Sequence, residues 1–263
     1  MSLFEVVEHT QLFFLIFARV FMLLRTAPLI SGQGVPGVAR IGLCLMATWV
    51  VLPWIAEAGY PIPETGLGYA LLVVGEGFVG VTVGMFMTLV FTTFQTAGQF
   101  FSLQMGFGAS QVFDPLSQVE IPLVGQFFNL VAMFVFVTTA GFNQIFLVGV
   151  LRSFEAIRAV DILQANEELA LFMMRSLSAL FAQALVISLP ILGTLMLVNI
   201  TLGLMAKAAP QMNLLMIGFP MAILVAFAIM FLAMPMIMGA FDRLIAGGWE
   251  QLHGLYRFYG GLR

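Results

Sequence analysis

The stretch MGFGASQVFDPLSQVEIP, residues 105–122, lies where one uncharged run, 77–113, gives way to a second, 121–151. Gly106 and Gly108 flank Phe107, so the backbone there has access to conformations closed to other residues. Asp114 followed by Pro115 is typical of a helix start, with the carboxylate as N-cap and the proline at the first helical position. Irregular backbone at membrane depth persists only beside protein or water. The stretch is therefore either a solvated hairpin loop or a buried, functional loop.

The composition of the chain indicates an integral membrane protein. Of its 263 residues, 61% are hydrophobic and 9% charged, more apolar surface than a water-soluble domain of this size could bury. Four uncharged runs, 77–113, 121–151, 176–206 and 208–241, each exceed the roughly 18 to 20 residues of a membrane helix. The predicted fold class is all-α, and membrane lipid rather than nucleic acid is the expected surrounding.

Six hydrophobic segments follow one another along the chain. The third is too long for a bilayer even when tilted, and the second is short of one. Residues 152–168 are predicted to form a solvent-exposed connection, and residues 207–211 a turn that makes the last two segments an antiparallel hairpin. The polar tail, 242–263, is predicted to be cytoplasmic because it carries arginines. The segments are Gln11–Ile30, Ile41–Ala56, Thr65–Gln104, Pro122–Leu151, Ser176–Ala206 and Met212–Phe241.

A stripe of small residues marks the third segment. Its members repeat every four positions, so they share one helix face and allow another backbone to approach closely. Gln95, Gln99 and Gln104 add amides that need hydrogen-bond partners in apolar surroundings. The stripe, predicted to be a packing face, consists of Gly80, Gly84, Thr88, Thr92 and Thr96.

Three charged residues stand inside apolar segments. Arg19 and Arg25 project from different faces of the first helix, so at least one of them would face lipid at a large cost in free energy. The segment therefore either lies against protein or lies partly outside the bilayer. Glu76 could relay protons or bind an ion. Alternatively it is an acid at the membrane boundary, where the dipole at the start of a helix favours negative charge, and this second interpretation is the one we expect.

Catalytic chemistry finds no support in the sequence. His9 and His253 are far apart and outside any ligand-spaced cluster, and Cys44 is the single cysteine. Phosphate-binding and nucleophile-elbow motifs are absent from the sequence. We therefore expect no enzyme, no metal and no cofactor.

Residues 197–220, LVNITLGLMAKAAPQMNLLMIGFP, resemble the signature of the FliR family of flagellar type III export-gate proteins and its injectisome counterparts. The Gly106-Phe107-Gly108 loop with Asp114-Pro115 is similar to the same family, as is the element Arg25-Thr-Ala-Pro28. The resemblance extends along the whole chain. Its hairpin signature comprises Asn199, Gly203, Lys207, Pro210, Gln211, Gly218, Phe219 and Pro220.

The resemblance implies a subunit of a hetero-oligomeric export gate. Long, kinked helical hairpins would pack with FliP and FliQ, near FlhB and FlhA, in the bacterial inner (cytoplasmic) membrane within the flagellar basal body. The gate would admit unfolded flagellar export substrates. Residues 1–175 would be FliP-like, 176–247 a FliQ-like hairpin and 248–263 a polar tail.

The resemblance also assigns a role to the central loop, which would plug the closed channel. The residues implied are Met105, Gly106, Phe107, Gly108, Ala109, Ser110, Val112, Phe113, Asp114 and Pro115. An injectisome subunit is the nearest alternative. An ion-coupled transporter is a more distant one, because it predicts paired ionisable groups at mid-membrane and an internal repeat, and the sequence indicates neither.

Overall fold

The computed structural model describes residues 3–31, 35–106, 123–159, 166–209, 211 and 214–261, and their regular structure is entirely helical. The predicted all-α membrane fold is confirmed. Five helices are long and apolar enough to cross a membrane, or six if the bent pair α5 and α6 counts as one span. The helices are α1 (Leu3–Thr26), α2 (Pro28–Ser31), α3 (Gly37–Ala58), α4 (Gly66–Gln104), α5 (Leu123–Thr138), α6 (Gly141–Ala156), α7 (Asn166–Ala208) and α8 (Leu214–Gly260).

Helices α7 and α8 are longer than the apolar segments that predict them. Helix α7 starts ten residues before the predicted Ser176, with Glu167 and Glu168 in its first turn, where the helix dipole favours acids. Helix α8 continues through the polar residues 242–260. In these two helices the uncharged run therefore predicts the interior of the helix and misses its charged ends.

The solvent-exposed connection predicted for residues 152–168 is wrong in its first half. Ser153, Phe154 and Ile157 are buried. These residues are buried because the segment supplies hydrogen-bond partners to Arg19, a buried arginine of α1. The sequence pattern does not reveal this contact.

The fourth hydrophobic segment is broken rather than continuous. Helix α5 ends at Thr138, and Ala140 takes a left-handed conformation with φ of 55° before α6 begins at Gly141. Residues Ile145–Arg152 of α6 are π-helical. A left-handed alanine is strained, so this break is held by the surrounding structure rather than by local preference.

The chain divides into two units. The first comprises Met1–Leu89, Ala140–Ser176 and Ala246–Arg263, and in it α1 packs against α3. The second comprises Val90–Thr139 and Leu177–Ile245. Helices α4, α7 and α8 contribute residues to both units. The division predicted at residue 175 concerns likeness to other subunits and stays a prediction, although α7 runs through that position without a break.

Phenylalanine rings build the core of the second unit. The Phe94 and Phe241 ring centroids are 4.2 Å apart, and Phe128 lies edge-on to both Phe101 and Phe241 at 5.4 and 5.5 Å. Such pairs add about 0.5 to 1.5 kcal/mol each beyond their buried area. Gly98 brings the α4 backbone against that of α5, since a Cβ there would lie 2.6 Å from the Cα of Gly125. These contacts fix the end of α4, from which the central loop departs.

Candidate functional site

The central loop leaves α4 through a helix C-terminus built around Gly106. The Met105 amide donates to the Phe101 carbonyl at 2.9 Å, and the Gly106 amide donates to the Leu103 carbonyl at 3.1 Å. Gly106 has a φ of +88°, which side-chain-bearing residues rarely adopt, so the glycine ends the helix. Met105 is buried. The predicted plug residues from Phe107 to Pro115 lie outside the described residues.

Gly106 packs directly against Phe219 of the hairpin signature. A Cβ on Gly106 would lie well inside contact distance of ring atoms Cδ1 and Cε1 of Phe219, and 3.5 Å from Cγ. The ring therefore occupies the space that any other side chain at position 106 would need. Two stretches that the sequence singles out separately, the loop and the Gly218-Phe219-Pro220 element of α8, are in contact in the second unit.

The other helix of the hairpin contacts the same place. The Asn199 amide nitrogen of α7 donates to the Gln104 side-chain oxygen at 3.2 Å. Gln104 is the last residue of α4, two positions before Gly106. The start of the central loop, which we call the loop root (residues 104–106), is thus held by both helices of the hairpin.

The remaining signature residues lie around the tip of that hairpin. Lys207 is exposed in the last turn of α7, which ends at Ala208, while α8 begins at Leu214. Gln211 is exposed, and Pro210 lies outside the described residues. Gly218 faces α7, with its Cβ position 3.4 Å from Leu202 Cδ1. The cation of Lys207 is favourable at the end of α7 because the last carbonyls of a helix lack partners.

Gly203 and Pro220 complete the signature. A Cβ on Gly203 would meet nothing within 4 Å. Pro220 lies within the first two turns of α8 and is exposed. Both residues therefore face away from the other described helices.

The small-residue stripe divides between the two units. In the first unit, the Cβ positions of Gly80 and Gly84 lie 3.1 Å from the Leu23 nitrogen and 2.7 Å from the Leu23 oxygen. The Thr88 hydroxyl donates to the Thr26 carbonyl at 2.7 Å. These three residues bring α4 against the backbone of α1. The last two members, Thr92 and Thr96, are half-buried in the second unit.

The first unit contains a fully buried ion pair between Arg19 of α1 and Glu76 of α4. Both side chains have 0% exposure. The Arg19 Nε donates to Glu76 Oε2 at 2.5 Å, Nη1 to the Ser153 hydroxyl at 3.2 Å and Nη2 to the Ile157 carbonyl at 2.8 Å. The Phe154 ring centroid lies 3.7 Å from Arg19 Cζ. The guanidinium therefore joins α1 and α4 to residues 153–157.

Two further donors complete the partners of Glu76. The Tyr60 hydroxyl donates to Oε1, as does the Ala159 amide at 3.2 Å. Burial raises the pKa of the Tyr60 phenol, and the charge of Glu76 raises it further, so the hydroxyl stays protonated and donates. The expectation that Glu76 is a boundary acid at a helix start is wrong. It lies about three turns inside α4, where Arg19 compensates its charge and the Tyr60 hydroxyl donates a hydrogen bond to it.

Sequence reasoning missed this pair, although a signal for it exists. Arg19 is a cation in an apolar segment, and Glu76 is an acid flanked by glycines in another. A charge in such surroundings is nearly always paired, so each residue is a natural partner for the other. Gly75 supports the arrangement, since its Cβ position lies 2.7 Å from the Ala159 Cβ.

The described helices and the absence of strands among them define an all-α integral membrane protein with a helical hairpin bound to the root of a central loop. More particularly, the chain belongs to the bacterial export proteins, family 1, whose model matches residues 10–248. This confirms the resemblance to FliR. The flagellar biosynthetic protein FliR of Bacillus subtilis strain 168 is 32% identical over 236 residues, covering 89% of this chain and 90% of that protein.

Two further relatives carry the same name. FliR of Escherichia coli K12 is 29% identical over 86% of this chain and 85% of its own length. FliR of Borreliella burgdorferi is 27% identical over 93% of this chain and 90% of its own length. The similarity therefore includes both units, the loop root and the hairpin.

Proposed function

We propose that this chain is a core subunit of the flagellar type III protein export gate, where it forms the entry channel for unfolded flagellar proteins with FliP and FliQ. The gate would lie in the bacterial inner membrane within the flagellar basal body, near FlhB and FlhA. The observation that carries the proposal is the contact between the loop root and Phe219 in a chain of the bacterial export family. That contact ties the start of the predicted plug to the helices that a sister subunit would cover.

The exposed apolar surface of the hairpin supports a role in an assembly. Phe231 is 79% exposed and Leu232 is 73% exposed on α8. Lipid satisfies such side chains, and so does the apolar surface of another subunit. A channel shared between subunits needs faces of this kind and needs no catalytic residue.

The plug role of residues 105–115 is tested by a deletion. Removing residues 106–109 takes away the glycine that ends α4 together with Phe107, so the assembled gate should conduct ions or small solutes at rest. Conductance and solute leakage in cells that express the assembled complex measure this. Deletion of three residues at the C-terminus, 261–263, is the matched control. Background conductance with normal assembly would make the loop a structural connection only.

We assign the chain to the flagellar system rather than to an injectisome because the relatives are flagellar biosynthetic proteins. Cells that lack the gene should lose motility and the secretion of filament and hook proteins, and plasmid-borne copies should restore both. Normal flagella together with lost secretion of injectisome substrates would reverse the assignment.

The alternative function of an ion-coupled transporter is supported by one observation, the paired ionisable groups of Arg19 and Glu76. Both Glu76 oxygens already accept hydrogen bonds from protein donors, so a transported cation would have to displace them.

A further inference from the structure

Arg25 is the second arginine of the first helix, and its surroundings differ from those of Arg19. Its side chain is exposed in the last turn of α1. It has no ion-pair or hydrogen-bond partner among the described residues. Arg19, by contrast, is fully buried and compensated by Glu76. In the described part of the chain, α1 therefore carries one cation that is compensated internally and one that is not.

The contacts between α1 and α4 show how far Arg25 lies from the ends of the longer helix. The Thr88 hydroxyl donates to the carbonyl of Thr26, the residue after Arg25, at 2.7 Å. Arg25 is therefore level with residues 84–88 of α4, roughly 30 Å from either end of that helix at 1.5 Å per residue. Glu76, the one charged residue of α4, lies about 15 Å away along the helix and is already paired.

Apolar side chains accompany Arg25 along the side of α1 and α4 on which it lies. Met22 is one turn before Arg25, is 39% exposed, and has its Cγ 3.4 Å from the Cβ position of Gly77. Val81 and Met85 follow Gly77 at intervals of four residues, so they share this side of α4. Val81 is half-buried, and Met85 is 44% exposed. We call the strip formed by Met22, Arg25, Val81 and Met85 the Arg25 groove.

The chemistry of the Arg25 groove calls for an anion among apolar groups. A guanidinium beside uncharged helix is costly unless it is paired, and a carboxylate binds it through two parallel hydrogen bonds. The phosphate of a phospholipid would satisfy the same charge at the end of a membrane span. The level of Arg25 near the middle of α4 favours a carboxylate carried on another helix.

A second copy of this chain does not supply that carboxylate. Within its six hydrophobic segments, Glu76 is the only acid. Both Glu76 oxygens already accept hydrogen bonds from protein donors. The remaining acids lie in the loops and at the ends of the segments. The partner of Arg25 is therefore expected on a different protein.

We propose that Arg25 forms an intersubunit ion pair with a carboxylate in an apolar helix of a different subunit of the gate. That helix would lie in the Arg25 groove and cover Met22 and Met85. This inference rests on the proposed function, because it takes the partner from the same assembly. It adds a specific contact that selects another subunit over a second copy of this chain.

The test uses the full chain, co-expressed and co-purified with FliP and FliQ. Arg25→Glu opposes like charges in the groove and should reduce the co-purified subunits by at least about tenfold. Arg25→Leu should also reduce them, because it leaves the partner's carboxylate uncompensated. Thermal unfolding of the lone chain should be unchanged by Arg25→Leu, since the arginine has no described partner to lose. Arg175→Glu, at an exposed arginine of α7, is the matched control and should assemble normally.

A second-site charge reversal identifies the carboxylate. In cells that carry Arg25→Glu, each Asp or Glu within the hydrophobic segments of FliP and FliQ is changed to Arg, one at a time, and motility is scored. One of these changes should restore motility with Arg25→Glu and impair it with the native Arg25. A photo-crosslinking residue in place of Met22, one turn from Arg25, should capture the subunit that carries this acid.

The outcomes separate the ion pair from the proposed function. Assembly of Arg25→Glu at the native level, or a defect that no acid reversal suppresses, would overturn the ion pair alone. Phosphatidylglycerol retained by the native gate and lost from an equally assembled Arg25→Leu gate, measured by native mass spectrometry, would assign the groove to a lipid phosphate. A native chain that retains neither FliP nor FliQ would overturn the proposed function and the ion pair together.

Discussion

At the scale of single residues, the pair Arg19 and Glu76 shows how a polar requirement organises an apolar protein. Each buried charge would be expensive alone, and the attraction between them offsets the loss of water only when the remaining hydrogen bonds are made. Ser153, Ile157 and Tyr60 make those bonds. The pair therefore specifies where residues 153–159 lie more than it adds net stability.

Removing one partner should be more damaging than removing both. Glu76→Ala leaves a buried, uncompensated guanidinium and should lower the free energy of unfolding by about 3 to 5 kcal/mol. The double variant Arg19→Met with Glu76→Leu should recover much of that loss. Steady-state protein level and thermal unfolding in detergent measure both.

Glu64→Ala, at an exposed acid, is the matched control and should leave unfolding unchanged. If Glu76→Ala were as harmless as Glu64→Ala, the ion pair would not hold the first unit together.

The type of each residue in the pair is visible in the sequence, but their pairing is not. They lie 57 positions apart, and the register of α1 against α4 is set by packing at Gly80 and Gly84 rather than by any local pattern. The same limit applies to the loop root. Its glycine is readable as a helix end, whereas its contact with Phe219, more than one hundred residues away, is not.

Gly106 and Phe219 give a second residue-scale prediction. Gly106→Ala should both strain the backbone, because φ is +88°, and push against the Phe219 ring, so resting conductance of the gate should rise. Adding Phe219→Ala relieves the collision and leaves the strain, so it should reverse part of the leak. Gly42→Ala, where a Cβ meets nothing within 4 Å on α3, is the control and should not leak. A tight gate with Gly106→Ala would show that the loop root does not position the seal.

At the scale of elements, the sequence predicts which helices exist better than where they end. The 39 residues of α4 follow from an apolar pattern that contains one charged residue, Glu76, and the last residue of the helix agrees with the predicted Gln104. The break before α6 does not follow from the sequence, because Ala140 is a residue that normally favours helix. Only tertiary packing overrides such a preference, and no local signal records it.

The contact of α4 with α1 yields an element-scale prediction. Gly84→Val would force bulk against the Thr26 side chain and the Leu23 carbonyl, so it should destabilise the first unit by about 1 to 3 kcal/mol. Gly42→Val on α3 meets nothing within 4 Å and should cost far less. Protein yield and thermal unfolding compare the two. Equal effects would mean that close approach along the stripe contributes nothing to packing.

At the scale of the whole molecule, the described residues bury only a narrow seam along the helices of the hairpin. On α7 the buried residues recur every three or four positions, at Leu180, Ala184, Ile187, Ile191 and Leu195. The other faces stay apolar and exposed. A seam this narrow is typical of a helix whose remaining surface is covered by lipid or by other subunits.

Gly203 lies on one of these uncovered faces. A glycine inside a helix costs about 1 kcal/mol relative to alanine, and no described residue lies within 4 Å of the Cβ position to require it. Close approach by a helix of another subunit would require it. In the proposed gate α7 would contact FliQ or FliP. A substitution at position 203 should therefore change assembly without changing the folding of the chain.

We therefore expect the purified chain alone to be a poorly behaved, polydisperse species in detergent, and co-expression with FliP and FliQ to yield a defined complex. Gly203→Ala should stabilise the isolated chain by about 0.5 to 1 kcal/mol, because it removes the conformational freedom of the unfolded glycine. Gly203→Leu should leave the isolated chain equally stable and yet reduce the co-purified subunits. Size-exclusion chromatography with light scattering and subunit quantification distinguish these results. A monodisperse monomer of the lone chain, or full assembly with Gly203→Leu, would contradict a subunit interface on this face of α7.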